Sequence, residues 1–274
     1  MSYFGYNPGD VPEGAFKISP SQLSRFLDET GKWTREFLLG EAGFDGNTAS
    51  YLGTTVHGLA AMFKDIGSTD YQLAEEFIDS IRTEGVDKDF IRQQYPVMYE
   101  ALEREFLNSA VGTPELFLKK EIAPGVWLGG SLDLLNPEEV TDYKTTSALN
   151  APTDVKRSYF FQQLCYVWLA RQHGFHVRRF RLVYVTTNTV GRISEKTGKP
   201  MQDYPTKVSE VVYDVTDDDM IMIEGIIKLV ADFVAAWKKH PELRHVLAQD
   251  YRLKVETPRV SIFKKHNEVS TDGS

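Results

Sequence analysis

The chain has 274 residues, 42% of them hydrophobic and 26% charged, which is enough apolar material for a sizeable core in one large domain. Its formal net charge of −8 excludes a uniformly basic surface that coats nucleic acid passively, so contact with a polyanion needs a local basic patch or bound cations. The single cysteine, Cys165, excludes an internal disulfide and a zinc site built from cysteines alone. Met1 to Asp10 lacks the basic-then-apolar order of a secretion signal, and no apolar run approaches the ~18 residues that span a bilayer. The expected location is the reducing cytoplasm, away from membranes.

Residues 1–17, rich in glycine, proline and aromatics, read as an irregular arm. Ser19 and Pro20 then open a helix as N-cap and first helical residue, with Leu23, Phe26 and Leu27 on its apolar face and Gly31 as its expected end. A second short helical piece surrounds Trp33, Phe37, Leu38 and Leu39. Over 49–66, Leu52, Val56, Leu59 and Phe63 repeat at helical spacing, and Gly67 stops the run. Residues 70–84 and 87–110 read as further helices, with Leu73, Phe77 and Ile81 facing inward from the first.

The pattern then changes. Segments 116–122, 126–135 and 140–145 read as strands separated by short gaps, which predicts an antiparallel meander. A helix follows at 154–173 with Phe161, Leu164, Cys165 and Trp168 inward. Segment 179–187 is a strand, 188–206 an exposed loop and 210–215 another strand. A helix at 217–240 opens with a Thr216/Asp219 capping box and three aspartates and ends in Lys238, Lys239 and His240, as its dipole favours, before Pro241 closes it. The expected organisation is an α/β domain over 18–263: a helical layer at 18–112, a sheet core with one motif helix at 113–215, and a C-terminal helix and extension at 216–263. Residues 264–274 read as a flexible tail.

Two stretches carry chemistry. Gly130-Ser131-Leu132-Asp133 is followed by Val140-Thr141-Asp142-Tyr143-Lys144. Side chains alternate along a strand, so Asp142 and Lys144 share a face, and an antiparallel neighbour can set Asp133 beside them. Two carboxylates suit a hard divalent cation, and an adjacent ammonium can orient a water or stabilise charge building on a phosphate. Alone, Asp-x-Lys is also a common surface ion pair worth about 0–1 kcal/mol. Order and spacing make the pair informative.

The order resembles that of RecB-like nucleases, a branch of the PD-(D/E)XK superfamily that includes Cas4-like proteins and mitochondrial and phage exonucleases. Their motifs run helical His, G-x-x-D, (D/E)-x-K and Q-x-x-x-Y. Here they match His57 at the end of Leu52-Gly53-Thr54-Thr55-Val56-His57, then Gly130 to Asp133, Asp142 to Lys144, and Gln162-Gln163-Leu164-Cys165-Tyr166. Ile18 to Leu23 resembles the start of the family's first helix. The resemblance implies a restriction-endonuclease-like α/β core, a mixed central sheet flanked by helices with a helical N-terminal layer. It implies His57, Asp133, Asp142 and the backbone carbonyl of Tyr143 as ligands of Mg²⁺ or Mn²⁺, Lys144 as the catalytic lysine, and Gln162 and Tyr166 facing the site or its DNA strand. Imidazole among the ligands suits Mn²⁺ better than Mg²⁺.

By the residues alone His57 could equally be a core histidine, Tyr166 a core aromatic, and Gln162 and Gln163 solvent-facing. Glu121 could approach the metals through water or pair with Lys119 or Lys120. Some relatives hold an iron–sulfur cluster with four cysteines; with Cys165 alone no such cluster forms, and this thiol reads as an inert helix residue. The phosphate-binding loop of motor ATPases is absent, so a helicase, like a recombinase or a single-strand-binding protein, would be a separate partner.

For DNA contact the candidates are Arg25, Lys32 and Arg35 near the first helix, then Lys119, Lys120, Arg178, Arg179, Arg181, Lys264 and Lys265, with Trp33, Phe37, Tyr159 and Phe160 as stacking surfaces. The favoured reading is a metal-dependent DNA exonuclease acting on single strands or duplex ends in recombination, repair or phage DNA metabolism. An endonuclease of the same superfamily, a non-catalytic DNA-binding recombination accessory protein, and a metallohydrolase of small phosphoesters stand as alternatives.

Overall fold

The computed structural model describes residues 3–4, 11–147, 152, 155–194 and 197–248. The expected tail, with Lys264 and Lys265, and residues 1–2 and 5–10 of the expected arm lie outside these residues. The elements in order are β1 (Phe16–Ile18), α1 (Pro20–Asp28), α2 (Thr30–Phe37), α3 (Thr48–Ile66), α4 (Tyr71–Ser80), α5 (Lys88–Leu102), β2 (Thr113–Ala123), β3 (Val126–Leu135), β4 (Glu139–Thr146), α6 (Arg157–Gln172), β5 (Arg179–Thr186), β6 (Val208–Asp214) and α7 (Asp217–Lys239). A π-helical turn, Glu103–Leu107, prolongs α5. Among the described residues no helix is long and apolar enough to cross a membrane.

The caps act as the residue types require. Ser19 and Gln22 form a reciprocal capping box on α1, and Thr216 and Asp219 form another on α7. Gly67, at φ 73°, ends α3 in the left-handed conformation. Gly31 does not end the first helix: the chain turns at Glu29, and Gly31 lies buried inside α2. Of the residues expected to face inward from α4, Ile81 is buried and Phe77 packs on the core beside Ala74 and Ile78, whereas Leu73 is exposed.

The six strands form one mixed sheet, β1-β3-β4-β5-β6, with β2 paired to β3. The expected meander holds for β2 and β3, which pair antiparallel almost throughout. It holds only briefly for β3 and β4, whose register consists of Leu134↔Thr141 and Leu135↔Val140. Beyond those pairs the strands part. The far end of the same β3 edge is taken by β1, parallel, with Phe16↔Val126 and Ile18↔Leu128. At three residues, β1 is too short to leave a periodic signature. Between these two contacts, 129–133 of β3 has no strand partner on that edge among the described residues.

The sheet separates two cores. One side packs α1, α2, α6 and α7 through Leu23, Phe26, Trp33, Leu164, Trp168, Ile227 and Val234. The other packs α3, α4 and α5 through Val56, Leu59, Ile78, Met98 and Tyr99, together with Tyr143 of β4. β4 and β5 run parallel and in register from Glu139↔Arg179 to Thr146↔Thr186, a pairing that α6 makes possible by crossing over between them.

Candidate active site

The parting of β3 and β4 creates the site. Continuing their register by one pair would set Asp133 against Asp142, so both acids stand at the first positions where the ladder is broken. Tyr143 N–H donates to Asp133 Oδ2 at 2.8 Å, so the carboxylate satisfies a backbone donor beside the break. Alternation along β4 sends the Tyr143 ring into the α3–α5 core and leaves Asp142 and Lys144 on the α6 side.

Helices close the opening from both faces. His57, two and a half turns into α3, brings Nδ1 to 3.2 Å from Asp133 Oδ2, with its ring edge-on to Tyr143. From the other face, Gln162 Oε1 lies 3.4 Å from the Lys144 ammonium, which also lies 2.5 Å from Asp142 Oδ2. Tyr166, one turn on, is nearly buried, and its hydroxyl pKa is driven upward by burial and then by Asp142 and Asp133. Gly130 explains this approach: a Cβ there would meet Pro20 Cδ at 2.9 Å and Tyr166 Cε1 at 3.1 Å, so a larger residue would hold α1 and α6 away from β3. Of the two glutamines, Gln162 touches Lys144. Gln163 is wholly buried with neither end of its amide hydrogen-bonded, so neither of the pair simply faces solvent.

Glu121 is not part of the site. It accepts the Gly125 N–H in the β2–β3 turn, six residues of strand away, about 20 Å, from the acid that takes its place. That acid is Glu115, which sequence reasoning missed. By the β2–β3 register it lies opposite Asp133, between the pairs Pro114↔Leu134 and Leu116↔Leu132. Its backbone is left-handed, at φ 48°, the only positive φ outside glycine among the described residues. Such a conformation costs about 1–2 kcal/mol and persists where its surroundings enforce it. Partial loss of water and the charges of Asp133 and Asp142 push its carboxyl up to about 7, against the opposing pull of His57. The Glu115 side chain is exposed, so solvent screens much of this repulsion.

The other charges are mutually dependent. Burial alone would lower the His57 pKa, but Asp133 more than offsets it and the net direction is upward. Asp133 goes the other way: burial raises it, and His57, Lys144 and the Tyr143 N–H bring it below the usual carboxylate range. Burial and then the Asp133 charge leave Asp142 raised despite Lys144. Lys144 stays protonated, since Asp142 and Asp133 outweigh the burial that would discharge it.

Among the described residues no three His, Cys, Asp or Glu side chains converge closely enough to enclose a metal ion as they stand. The ion pairs give the reason: His57 sits on Asp133 and Lys144 on Asp142, each cation holding a donor atom. The donor set itself fits a hard divalent cation. Three carboxylates face one ammonium and one imidazole, two of them are pushed upward by loss of water and then by the Asp133 charge, and Asp142 Oδ2 is buried with no aligned hydrogen bond. A cluster in this state lacks positive charge.

The expected DNA contacts fare unevenly. Arg25 pairs with Glu36, Arg35 with Glu41 and the Ala248 carbonyl, and Lys32 with Glu29, so the basic group around α1 and α2 is engaged within the protein. Arg179 and Arg181 grip the buried Glu139, and Arg181 also holds Glu210, a lock across β4, β5 and β6. Trp33, 1% exposed, is a core residue, and the half-buried Phe160 packs edge-on against Phe180 and Tyr213, so both rings are turned toward the protein. Phe37 packs on Trp33. Cys165 is fully buried and its thiol pKa is pushed up by burial, which makes it inert.

Known proteins share this fold. Among solved structures the chain is similar to a protein of Eubacterium rectale provisionally named an exonuclease, at 18% identity over 82% of each chain and a TM-score of 0.56. A weaker likeness, at 12% identity and a TM-score of 0.43, joins 82% of this chain to 97% of a phage-related exonuclease from Haemophilus somnus. No curated protein matches. Residues 17–245 match the PD-(D/E)XK nuclease superfamily, a span that contains the whole β3–β4 opening and both helices that close it. The chain therefore belongs to the PD-(D/E)XK nuclease superfamily.

Proposed function

We propose that this nuclease is a divalent-metal-dependent DNA exonuclease of the RecB-like branch, acting on single strands or duplex ends. The observation that carries the reading is the meeting of His57, Asp133, Asp142 and Lys144 where β3 and β4 separate. Asp133, Asp142, His57 and the Tyr143 carbonyl would hold Mg²⁺ or Mn²⁺, with Glu115 adding negative charge alongside. When bound, the ion supplies Lewis acidity toward a phosphate oxygen and makes water a better nucleophile.

The remaining work falls to the chain. Lys144 is held protonated between Asp142 and Gln162. It therefore acts as a hydrogen-bond and charge donor to a phosphate oxygen, not as the base that takes a proton from water. Gln162 fixes the direction of that ammonium, and Tyr166 walls the site against α1. Digestion from an end, rather than internal cleavage, follows the RecB-like order of the motifs and the name given to the Eubacterium rectale protein. Recombination or repair of phage DNA, with separate recombinase, helicase or single-strand-binding partners, is the corresponding setting.

Linear and circular single-stranded DNA, each incubated with Mn²⁺, decide between end-dependent and internal cleavage. The linear form should be degraded and the circle left intact; a cut circle makes the protein an endonuclease. Lys144→Ala should reduce cleavage by roughly 100-fold or more while DNA still binds. Cleavage at the wild-type rate would remove Lys144 from the mechanism.

A further inference from the structure

Tyr159 stands nearly one turn before Gln162 on α6 and is half-buried. The Lys144 ammonium lies 4.8 Å from its ring centroid, and the Lys156 ammonium lies 5.5 Å from the same centroid, so the two charges are no more than about 10 Å apart. Lys144 is already engaged by Asp142 and Gln162. Lys156 is exposed, and among the described residues no carboxylate pairs with it. Its neighbour Arg157 differs, being paired with Asp28 at 3.1 Å and placed over Phe161. Five of the eight described basic residues that the sequence offered for DNA (Arg25, Lys32, Arg35, Arg179 and Arg181) are paired with internal carboxylates, whereas no described carboxylate pairs with Lys156 beside Lys144.

An ammonium resting on an aromatic face is held by the ring quadrupole without losing its charge. The contact restricts a flexible stem, so less freedom is lost when an anion binds. In a chain of net charge −8, an exposed cation at this distance from Lys144 that no described carboxylate neutralises has a definite use. We propose that Lys156, seated on the Tyr159 ring, binds the phosphate next to the one being cut, so that the substrate is a polynucleotide strand and not an isolated phosphoester. The ring face beside it suits the sugar or base of that neighbouring nucleotide. This inference rests on the nuclease reading given above.

The test measures binding of a single-stranded oligonucleotide by anisotropy, with EDTA present, over a range of KCl concentrations, for the wild type and the variants K156A, Y159F and Y159A. Removing one phosphate contact should flatten the slope of log K against log salt by about 0.7 and weaken binding roughly 5-fold for K156A. Y159A should shift in the same direction, and Y159F, which keeps the ring, should restore the wild-type slope. With Mn²⁺, K156A should raise KM for the oligonucleotide several-fold more than it lowers kcat. A salt slope and KM unchanged in K156A would overturn the Lys156 subsite. If the wild type cleaves nothing with Mn²⁺, the nuclease reading fails, and the salt slope still decides whether Lys156 binds phosphate.

Discussion

Glu115 carries the most unusual local chemistry in the molecule: a left-handed backbone and a carboxyl pushed up to about 7. An acid whose folded pKa exceeds its ordinary value of 4.5 favours the folded state below that ordinary value, and this contribution is lost as pH rises through about 7. In metal-free protein, wild-type stability should therefore fall relative to Glu115→Gln between about pH 4.5 and pH 7, and level off above. Urea denaturation of both proteins with EDTA across that range checks it; parallel curves would mean that Glu115 does not feel Asp133 and Asp142. At the same scale, the His57–Asp133 contact is favoured by both partners, since His57 is raised and Asp133 lowered. A histidine buried merely as packing would lack that reciprocal arrangement.

At the scale of elements, the opening exists because β3 gives one edge to two partners in turn, β4 at Leu134 and Leu135 and β1 from Val126 to Leu128. The unpaired stretch between them is lined by Pro20 of α1 and Tyr166 of α6, both pressed against Gly130. Gly130→Ala should force these helices outward, costing about 1–3 kcal/mol of stability and lowering cleavage more than single-strand binding. Chemical denaturation and single-turnover cleavage check the two parts; a fully active, equally stable variant would show that the close approach is not needed. The lock of Glu139 with Arg179 and Arg181 holds β4 to β5 at the end remote from Lys144. It fixes the strand that carries Asp142 while leaving the opening free of that network.

For the whole molecule, the concentration of acids at one point in an acidic chain predicts coupling between metal binding and folding. An ion that binds only the folded state stabilises it by about 2.7 kcal/mol at one hundred times its dissociation constant. Mn²⁺ should thus raise the melting temperature of the wild type, and Asp133→Ala and Asp142→Ala should abolish most of that rise. Differential scanning fluorimetry with and without Mn²⁺ measures it. A rise of equal size in both variants would place the ion elsewhere. The two cores on either face of the sheet let His57 arrive from one layer and Gln162 and Tyr166 from the other.

Much of this was legible from the chain itself. Periodicity located α3, β3 and α7 to within a residue, because their apolar patterns are long and their caps, Gly67, Thr216 and Asp219, act locally. Strand alternation by itself put Asp142 and Lys144 on one face, with Asp133 on a neighbouring strand, while His57, Gln162 and Tyr166 were indicated only by the resemblance to RecB-like motifs. Tertiary structure alone decided the rest. Glu115 became visible only through the β2–β3 register and a backbone angle no pattern announces, while Glu121, equally acidic, fell at the far turn. Whether Arg25 or Arg181 is free for DNA depended on which carboxylates folding brought to them, and Lys156 stood out because none of the described ones arrived. Local preferences are written in neighbouring residues, whereas pairing across a sheet and between layers is set by contacts among residues far apart in the chain.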